Sequence, residues 1–139
     1  MKTSVKSVRI SDATARDIER LRRGRRATFS SLASELIAEA AKARRCPGVV
    51  FADGPSGRRA RIEGTGIEVW EVIASNKALG KDDKRLRKPY SRLSDRQLLA
   101  ALGYYRTYSA EIEDLIEANA AMDEKNVRDR LPFARGSSG

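Results

Sequence analysis

The sequence predicts a mainly α-helical protein that opens with one β-strand suited to pairing with a second copy of the chain. Three observations carry this. Apolar residues recur at helical spacing through most of the 139 residues. Val5 to Ile10 alternate instead, with Val8 and Ile10 facing one way and Val5, Ser7 and Arg9 the other. One strand followed by two short helices buries little apolar surface alone and leaves open strand edges, and two intertwined copies solve both problems.

Composition narrows the function. The chain holds 28 Lys and Arg against 19 Asp and Glu, for a net charge of +9. That balance favours a polyanionic partner, with nucleic acid ahead of an acidic membrane or acidic protein. No apolar run approaches a bilayer span, and the N-terminus lacks the apolar stretch of a secretory signal, so a cytoplasmic, nucleoid-associated location is expected. Cys46 is the single cysteine, which excludes an intramolecular disulfide and suits a small packing residue. The chain has no histidine, the commonest general base and metal ligand. No cofactor, metal or catalytic residue is expected, and the protein does not read as an enzyme. A magnesium nuclease on Asp82, Asp83 or Asp95 lacks a third ligand placed by spacing, and Asp82-Asp83 sits where a helix cap belongs.

Helices follow in order. Ser11-Asp12 supplies capping oxygens for a helix carrying Ala15, Ile18 and Leu21, which stops at Arg22-Arg23-Gly24-Arg25-Arg26. Thr28 or Ser30 caps a second helix whose Leu32, Ala33, Leu36, Ile37 and Ala40 share a stripe to about Ala43. Val49-Val50-Phe51 and Arg58 to Ile62 suit a short hairpin around Asp53 to Gly57. Its Arg58, Arg59 and Arg61 are a candidate secondary DNA contact or, equally, a solvated strand face. Val69, Val72 and Ile73, with Trp70 beside them, predict a helix before a turn at Gly80. Asp82-Asp83 starts a short helix holding Leu86 and ending near Pro89-Tyr90. Ser94 and Gln97 have capping-box spacing ahead of Leu98, Ala101, Leu102 and Tyr105. Ser109 caps a last helix with Ile112, Leu115, Ile116 and Met122. Trp70, Tyr104 and Tyr105 are expected in the core.

The segment from about residue 4 to 45 resembles the ribbon-helix-helix family of DNA-binding proteins, through Ser7-Val8-Arg9-Ile10-Ser11 and Ser34-Glu35-Leu36-Ile37-Ala38-Glu39-Ala40. The resemblance implies paired strands in the major groove whose outward side chains read bases. Carried over by position, Val5, Ser7 and Arg9 are the readers. Arg9 has the geometry for a bidentate contact to guanine, and Val5 suits a thymine methyl. Thr28 and Ser30, at the start of the second helix, fall where that family holds a phosphate. Lys6, Arg25 and Arg26 are the accompanying backbone contacts.

The second half resembles the small helical domain-of-unknown-function family 433 from about Arg61 to Leu115. The residues that carry it are Ile62-Glu63-Gly64-Thr65-Gly66-Ile67-Glu68-Val69, Tyr90-Ser91-Arg92-Leu93-Ser94 and Ala100-Ala101-Leu102-Gly103-Tyr104-Tyr105. That resemblance implies a compact helix-turn-helix-like domain of the kind found in antitoxins paired with a PIN-domain ribonuclease, the VapB–VapC arrangement. Four segments result: 1–46 for DNA binding and dimerisation, 47–60 a linker or hairpin, 61–124 helical, and 125–139 a flexible basic tail. In the tail, Arg128, Arg130, Phe133 and Arg135 are candidate toxin contacts, because arginine forks match the carboxylates of a ribonuclease site. The functional expectation is a dimeric, sequence-specific DNA-binding antitoxin that represses its own promoter. The alternative is a stand-alone repressor or nucleoid-associated protein without a toxin.

Overall fold

A computed structural model describes residues 2–130, and its first helix begins where a serine can cap it. The Ser11 hydroxyl accepts from the Thr14 amide at 3.1 Å, and α1 runs over Asp12–Arg22. Gly24, at φ 79°, follows it in the left-handed region that favours glycine. α2 spans Phe29–Arg45. Thr28 caps it: its hydroxyl accepts from the Ser31 amide at 3.0 Å, while the Ser31 hydroxyl accepts from the Thr28 amide at 3.1 Å. Ser30 has no part in the cap.

The N-terminal arm differs from expectation. Residues 2–10 form no strand, and all of them are exposed. A β-strand exists only when its N–H and C=O groups pair with a neighbour, and within one chain Val5–Ile10 has none. The helices behind it bury little. Only Ile18 and Leu32 are buried there, whereas Val8, Ile10, Leu21 and Ile37 stand between 46% and 69% exposed.

The chain divides between Lys42 and Ala43 into two units. The second begins with the expected hairpin, β1 over Val49–Gly54 and β2 over Gly57–Ile62, turning through Pro55-Ser56. Val49 pairs with Ile62 and Phe51 with Ala60, so these four side chains share the face that packs inward. α3 (Val69–Ala78) opens on a reciprocal cap between Glu68 and Glu71. α4 (Asp83–Leu86) is capped by the Asp82 carboxylate, which accepts from the Lys84 and Arg85 amides. α5 (Asp95–Thr107) starts at the predicted box, with the Gln97 amide donating to Ser94 Oγ and the Ser94 amide to Gln97 Oε1. α6 covers Ser109–Arg130, so Ser109 is its first residue, and it continues well past Asp123. Apolar periodicity ends there, yet Glu124, Lys125, Arg128 and Arg130 favour a helical backbone, the arginines at its C-terminal end.

The core of this unit gathers Ile62 from β2, Val69, Val72 and Ile73 from α3, Leu86 from α4, Ala101 and Tyr104 from α5, and Ile112 from α6. Cys46 joins it as the packing residue at the junction. Of the three aromatics expected inside, Tyr104 is fully buried, while Trp70 and Tyr105 lie partly exposed against the cluster.

Gly48 lets the hairpin approach α5. Its φ is 95°, and a Cβ placed there would lie 2.9 Å from the Ala100 Cβ. Gly80 also has positive φ, at 71°, but open space around it. Gly48→Ala is therefore expected to cost roughly 1–3 kcal/mol in backbone strain and more from overpacking. Gly80→Ala carries the strain alone. Urea unfolding of the two variants measures the difference, and equal midpoints would rule out the packing part.

Candidate nucleic-acid interface

A polyanion meets most readily the cations that no carboxylate of the same chain neutralises, so the partners of each cation bear on the candidate surface. In the first unit, Lys6 and Arg9 project from the arm beside Val5 and Ser7, all exposed. Neither cation has an acidic partner among the described residues. Arg22 is engaged: it pairs with Glu19 at 3.0 Å, and its guanidinium donates to the Ala27 carbonyl. Arg25 has a partner within the chain, and Arg26 is exposed without one among the described residues.

The start of α2 sits beside this turn. Its cap uses the Thr28 amide and the lone pair of the Thr28 hydroxyl, but the Phe29 and Ser30 amides have no acceptor among the described residues. Two outward amides at the positive end of a 17-residue helix, with Arg26 nearby in sequence, offer anion-binding geometry. The Thr28 hydroxyl accepts in the cap and keeps its own proton to donate, and the Ser30 hydroxyl takes no part in the cap, so both stand beside these amides.

The hairpin arginines are occupied. Arg58 ion-pairs with Asp53 at 3.4 Å and donates to the Phe51 carbonyl. Arg59 donates to the Arg58 carbonyl, and Arg61 donates to the Asp53 carbonyl with its Nε buried. Arg58 and Arg61 thus reach across from β2 to β1, Arg59 stays on its own strand, and only Arg58 is paired with a carboxylate in these contacts.

Sequence reasoning passed over a different group. Lys84, Arg85 and Lys88 on and after α4, and Arg96 at the start of α5, are exposed and make no ion pair with any described side chain. The signal was present as a run of cations from Lys81 to Arg96, but the capping aspartates within it drew attention to helix starts.

In α6, every residue from Glu117 to Arg130 is exposed, including Met122 at 58% and Val127 at 56%. Arg128 pairs with Glu124 one turn back at 2.6 Å, and Arg130 ends the described helix. Phe133 and Arg135 lie outside the described residues. No group of three potential ligands that could hold a metal ion occurs among the described residues, and no described helix is long and apolar enough to cross a membrane.

A separate polar cluster is structural. Glu113 of α6 accepts from Lys77 Nζ and the Tyr105 hydroxyl. The Lys77 hydrogen bond, and then that of Tyr105, hold its carboxyl below the usual glutamate range, while the same contact raises Lys77. A carboxyl lowered by folding stabilises the fold above its unfolded pKa, and that contribution is lost as pH falls through the folded value. Glu113→Gln should lower the urea midpoint at neutral pH and flatten its decline on the acid side. An unchanged profile between about pH 3 and 7 would exclude this linkage.

The pattern of a family described as "Protein of unknown function (DUF433)" matches residues 50–105, which takes in most of the hairpin, α3, α4 and most of α5. A solved structure of a DUF433 member protein from Anabaena variabilis is similar to the chain at 24% identity. The similarity has a TM-score of 0.45 and covers 78% of this chain and 99% of that one. No curated protein matches the chain.

Proposed function

We propose that the protein is a dimeric, sequence-specific DNA-binding antitoxin that represses its own promoter and neutralises a PIN-domain ribonuclease. The carrying observation is the first unit's uncovered apolar surface next to an unpaired arm. Val8 and Ile10, on one side of the alternating arm, are 69% and 46% exposed, and Ile37 of α2 is 60% exposed. Antiparallel pairing of two such arms across a two-fold axis would satisfy their backbone groups and turn Val8 and Ile10 onto the helices. The opposite parity would then present Val5, Ser7 and Arg9 outward as a two-stranded ribbon, which fits the major groove.

The toxin-binding part of the proposal rests on the exposed half of α6. Helix with solvent-facing Met122 and Val127 offers apolar anchors beside Arg128 and Arg130, and it suits a groove on a partner. Co-purification with the product of an adjacent gene tests this part, and its absence would leave a stand-alone repressor.

Titration of the protein on its own promoter and on a scrambled duplex, at two salt concentrations, tests DNA reading. Promoter-selective binding that weakens steeply with salt is expected. Arg9→Ala should cost roughly 1–3 kcal/mol on the promoter and relax discrimination at one base position. Equal weakening on both duplexes would make Arg9 a phosphate contact instead. Arg26→Ala should weaken both duplexes alike and reduce the salt slope by about one. An unmoved slope would place Arg26 in solvent.

A further inference from the structure

We infer that the second unit carries its own sequence-independent binding track for the sugar–phosphate backbone of nucleic acid, running along α4 and α5. Three neighbouring grooves form it. Lys84, Arg85 and Lys88 line the first with Leu79 and Pro89. Lys84 also lines the second, together with Arg87 and Leu99. Leu99 also lines the third, with Arg96 and Arg45. Lys84 borders the first and second and Leu99 the second and third, so the three shallow grooves adjoin, with six cations on their borders.

The acidic residues nearby do not cancel this charge. Among the described side chains, Asp95 is the one carboxylate lining these grooves, and it pairs with Arg87 at 3.4 Å. The Asp82 carboxylate faces the amides of α4. Arg45 holds the Tyr108 hydroxyl and lies 5.6 Å from that ring's centre, without an acidic partner among the described residues. Lys84, Arg85, Lys88 and Arg96 are exposed and make no ion pair with any described side chain.

The floor of the path points to the class of partner. It is aliphatic, with Leu99 60% exposed, and the aromatic residue that lines it, Tyr104, is fully buried. Protein interfaces concentrate their energy in Trp, Tyr and Arg anchors, and this path offers arginine without an exposed aromatic ring beside it. Single-strand platforms stack bases on aromatic rings, which it lacks too. A row of cations over leucine and proline instead matches spaced phosphates with the apolar faces of sugars between them. Without base-reading geometry, such contacts hold position and carry no sequence information. The inference shares only the kind of partner with the operator reading of the first unit.

The test is the salt dependence of full-chain binding to a random-sequence DNA duplex. One variant combines Lys84→Gln, Arg85→Gln, Lys88→Gln and Arg96→Gln. A control removes equal charge elsewhere through Arg16→Gln, Arg44→Gln, Arg106→Gln and Lys125→Gln, all exposed and without a proposed contact role. Each phosphate contact contributes about 0.9 to the log–log slope, so the track variant should lose about two or more while the control keeps the wild-type value. A smaller loss, or an equal loss in the control, overturns the track and leaves the groove to an acidic protein partner. Promoter preference is read in the same titrations. If it persists while the slope is unmoved, the track alone fails. If the wild-type chain binds neither duplex, both readings fail.

Discussion

Tyr104 has no exposed surface, so its hydroxyl must find a partner inside the protein or forfeit its hydration. It donates to the Glu111 carboxylate at the start of α6. Its ring meets Phe51 of the hairpin edge-on at 6.3 Å and Tyr108 at 5.0 Å. One side chain of α5 therefore ties the hairpin, the α5–α6 corner and the last helix into a single core. Burial, and then the Glu111 hydrogen bond, push its phenol far above the usual tyrosine range, so it stays a neutral donor at any working pH. Gly48 serves the same junction by admitting the hairpin backbone to α5.

The first unit has no equivalent tie. A segment of about forty residues rarely covers its own apolar surface, and here Ile18 and Leu32 are the only buried side chains before Lys42. The alternating arm supplies what a second copy could use: one apolar parity to bury and one polar parity to present. The same physical shortfall that leaves the single chain without a strand is thus the basis for reading it as half of a dimer.

Charge is distributed by a similar logic. The hairpin arginines, Arg22, Lys77 and Arg87 are held by carboxylates or carbonyls and act as internal braces. Lys6, Arg9, Arg26, Lys84, Arg85, Lys88 and Arg96 have no acidic partner among the described residues and are exposed. Net charge alone does not distinguish these sets, because a guanidinium in an ion pair and one in water count the same in a composition.

Local chemistry was legible in the sequence, because caps and turns depend on a few adjacent residues. Ser11, Asp82 and the Ser94–Gln97 box start helices where their oxygens can reach nearby amides. The turn formers from Asp53 to Gly57 between two short strand-like runs marked the hairpin, and helical spacing marked Ile18, Leu32, Val72 and Ile112 as buried. Where the last helix would end was less legible, since beyond Asp123 it continues on propensity without an apolar stripe. Only the tertiary structure decided which cations are held and which are available. A strand-borne arginine finds its acceptor across the hairpin, and Arg87 finds Asp95 across a turn. Those partnerships depend on distances between segments, which a linear pattern of charges does not contain.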